Sequence, residues 1–280
     1  MEQYRLIGYP LGHSLSPQIH QKLFELEGCP ACYELFSFAS DQLEAHISAL
    51  KQLNGFNVTI PYKRMIMPFL DELEESAQLY GAVNTVHNLN GRYIGYNTDC
   101  DGFLHTMLSH GISLDTRVCI LGAGGVGRMF AIECARQGAE VVLAVRSGSL
   151  EKAQALAAEI LVKTGMTVTV QDTESLDGSF GLVINATPVG MSPNIDASPV
   201  SSSFLENVDA VFDCIYNPAE TLLLRDARRL GKQTAGGMDM LVWQAAAAHE
   251  IWNGSKFDGD DITKIIEQMN AYLLQKERQA

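Results

Sequence analysis

The chain has 280 residues, 46% of them hydrophobic and 19% charged, which is enough length for two domains and enough apolar mass for a sizeable core. Its 33 acidic residues outweigh 20 basic ones, for a net charge of −13. That balance argues against a nucleic acid or an anionic membrane surface as partner, because both bind through clustered Lys and Arg; a small anionic substrate is still compatible, since a few local donors outweigh a distant net charge. No run of 18 apolar residues offers a membrane span, and Met1-Glu2-Gln3-Tyr4-Arg5 does not open a signal peptide. Six cysteines are too sparse for a disulfide scaffold, so the expected setting is the cytoplasm, with reduced thiols.

Strands and helices alternate along most of the chain, the signature of an α/β protein. Residues 4–9 read as a strand. Ser16-Pro17 then opens a helix to about Glu27, with Ser as N-cap and Pro in the first turn. A strand is expected over 33–38, a helix over 41–53, and a strand over 56–60 that Pro61 stops. The helix after it is expected in two pieces because of Pro68. Asn90-Gly91 between two apolar runs, 83–87 and 93–96, predicts a type I′ hairpin. A helix over 101–109 ends at Gly111.

From Arg117 the pattern becomes strand–helix units with strands at 118–121, 141–145, 167–170, 182–185, 210–213 and 233–235. These imply a doubly wound parallel sheet. A helical tail follows over 239–275 and is expected to return to the first domain. The expected division is a mixed-sheet α/β domain over 1–101, a Rossmann-type domain over 102–237, and C-terminal helices over 238–280.

Gly122-Ala123-Gly124-Gly125-Val126-Gly127 fits G-x-G-x-x-G and sits between a predicted strand and a predicted helix, the context that motif requires. Its backbone can approach a pyrophosphate at the helix N-terminus. A dinucleotide fold that prefers NAD carries an acid at the end of the next strand, on the ribose 2′-hydroxyl. That strand here ends Val145-Arg146-Ser147. A guanidinium fork suits a 2′-phosphate, so the cofactor expected is NADP, with Arg146 and Ser147 as its discriminating contacts.

Several segments, in order, resemble the shikimate dehydrogenase family over essentially the whole chain: Gly12-His13-Ser14-Leu15-Ser16-Pro17, Asn57-Val58-Thr59-Ile60-Pro61-Tyr62-Lys63, Ala82-Val83-Asn84-Thr85 and Gly95-Tyr96-Asn97-Thr98-Asp99. The glycine turn follows, then Asn185-Ala186-Thr187-Pro188, Asp213-Cys214-Ile215-Tyr216-Asn217-Pro218, and the segment from Gly236-Gly237-Met238 to Gln244-Ala245. One departure is Val145-Arg146-Ser147 where the family usually has Asn-Arg-Thr.

The resemblance implies reversible reduction of 3-dehydroshikimate to shikimate with NADPH, in the biosynthesis of aromatic amino acids. It implies Lys63 and Asp99 as the catalytic pair, with Lys63 either donating a proton to the alkoxide or staying charged and stabilising it. Ser14 and Ser16 would bind the substrate carboxylate. Thr59, Asn84, Gln244 and Tyr216 would face its ring oxygens. Asn185, Thr187, Gly237 and Met238 would join the glycine turn at the cofactor. The protein is expected as monomer or homodimer.

Other motifs read as structural. Cys29-Pro30-Ala31-Cys32 lacks the second ligand pair of a zinc site and follows a helix rather than opening one. The seven histidines show no metal-like spacing, and His13 reads as structural within its serine loop. No metal is expected. The alternatives are a quinate/shikimate dehydrogenase with relaxed substrate and NAD use, and a non-catalytic sensor of dinucleotide or shikimate. The retained Lys63 and Asp99 speak against the sensor.

Overall fold

The computed structural model describes residues 1–12 and 14–277. His13, read above as structural, lies outside the described residues. In chain order the first elements are β1 (Glu2–Gly8), α1 (Ser16–Glu27), β2 (Ala31–Ser37), α2 (Leu43–Leu50), β3 (Gly55–Val58), α3 (Tyr62–Met65), β4 (Glu72–Leu73), α4 (Glu75–Tyr80), β5 (Thr85–Leu89), β6 (Arg92–Tyr96) and α5 (Asp99–Ser109). There follow β7 (Arg117–Leu121), α6 (Gly125–Arg136), β8 (Glu140–Val145), α7 (Leu150–Thr164), β9 (Thr169–Asp172), β10 (Phe180–Asn185), α8 (Ser202–Leu205), β11 (Val208–Asp213), α9 (Leu222–Arg229), β12 (Gln233–Gly236), α10 (Gly237–Asn253) and α11 (Gly259–Glu277). The chain forms two units, one of residues 1–102 with 242–269 and one of 103–241 with 270–280.

The first unit holds a mixed sheet in the order β2-β1-β3-β5-β6-β4. β1 runs parallel to β2 and β3, with Ile7 opposite Val58, and β3 runs antiparallel to β5, with Asn57 opposite Thr85. Every residue of β3 is buried, as a strand covered on both faces requires. The hairpin β5–β6 turns at Asn90 and Gly91, whose φ values of 55° and 88° suit a type I′ turn. Residues 242–253 of α10 pack here as well: the Trp252 indole donates to the Val86 carbonyl at 3.0 Å.

The second unit is a wholly parallel sheet in the order β12-β11-β10-β7-β8-β9. The chain starts at β7, moves outward through β8 and β9, then returns to β10 on the other side of β7. The strand order therefore reverses between β7 and β10, the place where open α/β sheets bind ligands at their C-terminal ends. The central strands read as near-continuous apolar runs because helices cover both faces.

Three local expectations are corrected. Ser16 is not the cap of α1: Leu15 holds that position without a side-chain cap, and Ser16 instead donates its backbone N–H to the Ser14 hydroxyl at 3.3 Å. The two-residue strand β4 follows Phe69, pairing with β6 at the sheet edge, a piece too short for periodicity to reveal. The helical tail is two helices, because Gly254 adopts φ +69° and ends α10 in a left-handed turn.

At the ends of β10 and β11 a buried carboxylate ties two loops together. Asp213 accepts from the Asn185 amide at 3.0 Å, the Ile215 N–H at 3.1 Å and the Thr221 hydroxyl at 2.7 Å. Burial nevertheless dominates these bonds and pushes the Asp213 carboxyl from 3.8 up to about 6. An acid whose folded value is raised contributes most below its unfolded value and loses that contribution as pH rises through the folded one. Wild type should therefore gain stability relative to Asp213→Asn as pH falls from 7 to 4.5, by about 2 kcal/mol. Urea unfolding of both proteins at the two pH values measures this; a difference that stays constant with pH would contradict it.

Candidate active site

In the first unit the sheet topology gathers polar residues at one edge. β1 and β3 are parallel, so the segments leaving their C-terminal ends, with Ser14 and Ser16 after β1 and Thr59 and Lys63 after β3, emerge on the same side. β5 is antiparallel to β3 and begins there, and β6 ends there, with Thr85 opposite Tyr96. That brings Asn84, Thr98 and Asp99 to the same edge. Backbone bonds fix the register: Val58 donates to the Asn84 carbonyl at 2.8 Å, Asn84 to Tyr96 at 3.0 Å, and Val83 to Lys63 at 2.7 Å.

The side chains complete the arrangement. Lys63 Nζ and Asp99 Oδ2 form an ion pair at 2.6 Å, with 29% and 17% of their side chains exposed. Lys63 sits in the single helical turn α3, and Asp99 opens α5. The other carboxylate oxygen, Oδ1, accepts from the Asn84 amide at 2.9 Å. That amide nitrogen also lies 3.0 Å from the Thr98 hydroxyl and 3.4 Å from Gln244 Oε1, while Asn84 Oδ1 accepts the Thr98 N–H at 2.7 Å. Lys63, Asn84, Asp99 and Gln244 thus stand in one hydrogen-bonded group. Ser14 and Ser16 form a pair of their own, hydroxyl to hydroxyl at 3.1 Å, with Ser16 buried. Thr59 is half-buried, and its carbonyl accepts from Tyr62 at 2.8 Å.

Residues that sequence reasoning did not assign hold this group. Thr98 is the clearest, and its signal was its place beside Asp99 in a quoted segment. Beneath it Asn57 donates to the Thr85 hydroxyl at 3.0 Å and accepts from the Tyr33 hydroxyl at 2.7 Å. Cys29 points elsewhere: its thiol lies 3.7 Å from Glu2 Oε2, and burial, then the Glu2 carboxylate, push it up and away from reactive thiolate character. Among the described residues no cluster of three or more His, Cys, Asp or Glu could hold a metal ion, and no described helix is long and apolar enough to cross a membrane.

In the second unit the glycine turn has the geometry of an anion cradle. Gly122 adopts φ +100°, and a Cβ on Gly127 would collide with the Gly122 carbonyl, so α6 packs against the turn only because Gly127 has no side chain. Gly124 and Gly125 face open space, and α6 begins without a side-chain cap, which leaves its first N–H groups and its positive dipole end for a phosphate. Ala123 and Val126 lie in the same turn. These features fit a dinucleotide.

The remaining candidates of this unit follow the same sheet edge. Arg146, after β8, is exposed and has no ion-pair partner among the described residues. Ser147 donates toward Asp172, the last residue of β9, which stands in register with Val145. The acid missing from the end of β8 is therefore present one strand away, a neighbour that only the strand register reveals. Asn185 is fully buried; its Oδ1 accepts from the Thr187 N–H at 3.0 Å and hydroxyl at 2.7 Å, so it shapes the loop that carries Thr187. Tyr216 follows β11, with burial raising its phenol. Gly237 donates to the Ile215 carbonyl at 3.2 Å, and Met238 beside it is buried.

Known proteins share this arrangement. The family model for the shikimate dehydrogenase substrate binding domain matches residues 6–86. A shikimate dehydrogenase (NADP(+)) of Caldanaerobacter subterraneus subsp. tengcongensis is 40% identical over 264 residues, covering 92% of this chain and 93% of its own. The crystal structure of a shikimate dehydrogenase in complex with NADP+ superposes with a TM-score of 0.88 at 39% identity over 96% of both chains. That of the Thermus thermophilus enzyme in complex with NADP(H) and shikimate gives 0.86 at 33% identity, over 96% of this chain and 99% of the other. With this identity across nine-tenths of both partners, the chain belongs to the shikimate dehydrogenase family.

Proposed function

We propose that this chain catalyses the reversible, NADPH-dependent reduction of 3-dehydroshikimate to shikimate, with Lys63 and Asp99 acting at the carbonyl oxygen. The observation that carries the assignment of residues is the Lys63–Asp99 pair at 2.6 Å, held from behind by Asn84. NADPH, when bound, supplies the hydride. The carbonyl oxygen then gains negative charge and needs a proton or a fixed cation. Lys63 provides either from the same position, because Asp99 restrains its ammonium group. In the reverse direction the pair takes the hydroxyl proton of shikimate.

The substrate is an anion with several oxygens on its ring. Ser14 and Ser16 offer two hydroxyls to its carboxylate, and the N-terminus of α1 adds a favourable dipole. Thr59, Asn84 and Gln244 present donors and acceptors for ring oxygens. Gly122 to Gly127 receive the pyrophosphate of the cofactor, and Thr187, Gly237 and Met238 line the same sheet edge. The free Arg146 guanidinium takes the 2′-phosphate. Ser147 is partly engaged by Asp172, so discrimination between NADP and NAD rests mainly on Arg146. The setting is the cytoplasm, in keeping with six cysteines that are too sparse for a disulfide scaffold. The enzyme works there as monomer or homodimer.

Steady-state oxidation of shikimate and of quinate, each with NADP and with NAD, tests the assignment. The pair shikimate and NADP should be preferred, and Lys63→Ala should lower kcat by about 10²–10⁴ with a much smaller change in shikimate affinity. Absence of shikimate oxidation, or a Lys63→Ala variant within about threefold of wild type, would remove the assignment.

Cofactor choice is tested separately. Arg146→Ala should weaken NADP binding by roughly 1.5–3 kcal/mol and leave NAD nearly unchanged, with the NADP preference of wild type shrinking as salt rises. Equal weakening of both cofactors would make Arg146 a structural residue.

A further inference from the structure

Two histidines 229 positions apart meet inside the first unit. His20 Nδ1 on α1 lies 2.9 Å from His249 Nε2 on α10, and His249 Nδ1 lies 2.9 Å from Glu27 Oε1 at the end of α1. Both rings are fully buried and the Glu27 side chain is nearly so. Glu27 Oε2 also accepts from the Asn253 amide at 2.9 Å. His20 stacks on Tyr33 at 3.9 Å between centroids.

One arrangement of protons satisfies the chain with both rings neutral. Glu27 accepts from His249 Nδ1–H, and His249 Nε2 accepts from His20 Nδ1–H. His20 Nε2 is then a buried acceptor without a hydrogen-bond partner among the described residues. Burial, and then the neighbouring His249, hold His20 well below the ordinary histidine range, in keeping with its neutral form. Apolar side chains would join α1 to α10 without desolvating a carboxylate and two imidazoles. What the polar chain adds is direction, since hydrogen bonds tolerate little rotation or sliding where apolar contacts tolerate more.

α10 has a second directional anchor. The Trp252 indole donates to Val86, and a Cβ on Gly55 would meet Trp252 Nε1 at 2.5 Å, so this strand position accommodates only glycine beneath the ring. Gln244 stands on the same helix, on the turns before these anchors. Its Oε1 lies 3.4 Å from Asn84 Nδ2 and 3.5 Å from Thr98 Oγ1, at the long limit of hydrogen bonding. Whether those contacts are made depends on where the helix sits.

We infer that Glu27, His249 and His20 are positioning residues for the reaction: their hydrogen-bonded chain sets the rotation of α10 and so holds the Gln244 amide beside Asn84 and Thr98. The inference rests on the site described under the proposed function. It assigns these three residues an effect on shikimate that passes through Gln244, not a general effect on stability.

A double-mutant cycle separates the two. His249→Ala and Glu27→Ala are each made in wild type and in Gln244→Ala, and the KM values for shikimate and NADP are measured on folded protein. Each should raise the shikimate KM about tenfold in wild type, leave the NADP KM within about twofold, and raise the shikimate KM no further in the Gln244→Ala background. Equal effects in both backgrounds, or equal effects on both substrates, would overturn the inference, as would failure of both variants to fold, which would assign the chain to stability alone. If only one variant folds, it decides. Wild-type protein that does not oxidise shikimate overturns the assigned reaction together with this inference; active wild type with additive variants overturns this inference alone.

Discussion

The Asn84 side chain is the joint of the first unit's polar site. It is almost fully buried, so its amide must find partners within the protein. Its oxygen accepts the Thr98 N–H at 2.7 Å and its nitrogen faces Asp99 at 2.9 Å and Thr98 at 3.0 Å. Thr85, Asn57 and Tyr33 continue the network into the sheet. A buried network with every member paired is rigid, because moving one group leaves another unsatisfied at about 1–3 kcal/mol. Asp99 inherits that rigidity, and Lys63 inherits it from Asp99. The position of one flexible lysine therefore follows from pairing constraints that reach across four strands.

Each unit uses the same device to collect its chemistry. A strand ends, the chain turns, and the residue at the turn faces whatever lies beyond the sheet edge. In the first unit the mixed sheet does this because an antiparallel strand begins where the parallel strands end. In the second unit all six strands are parallel, so the glycine turn, Arg146, Thr187, Tyr216 and Gly237 share one edge. The tie between Asp213 and Asn185 belongs to this logic, since it couples the exits of two neighbouring strands. Candidate binding residues and the residues that hold them in place thus occur side by side in the chain.

Much of this was legible in the sequence where a local rule was strong. The hairpin at Asn90-Gly91, the glycine turn and the buried strands each carry their own chemistry, and the motifs that resemble the family brought Lys63, Asn84, Asp99 and Gln244 into view together. What was not legible depends on register or on distant pairing. The acid Asp172 stands beside Ser147 only because β9 pairs with β8 at Val145. His20 and His249 have no spacing that links them, and Glu27 is an ordinary acid at a helix end. Ser16 before Pro17 has the composition of an N-cap, yet the Ser14 hydroxyl takes its N–H and the helix begins one residue earlier than that rule implies.

In the proposed reaction Asp99, fixed by Asn84, holds Lys63 in place. Asp99→Asn preserves volume, removes the charge, and leaves one acceptor oxygen where Lys63 and Asn84 each use one. The most direct measurement is the shikimate-oxidation kcat of this variant beside its melting temperature. The expected result is a kcat lowered by about 10²–10⁴ with the melting temperature changed by no more than a few degrees. A variant that melts like wild type and turns over within about threefold of it would rule out Asp99 as the group that makes Lys63 effective.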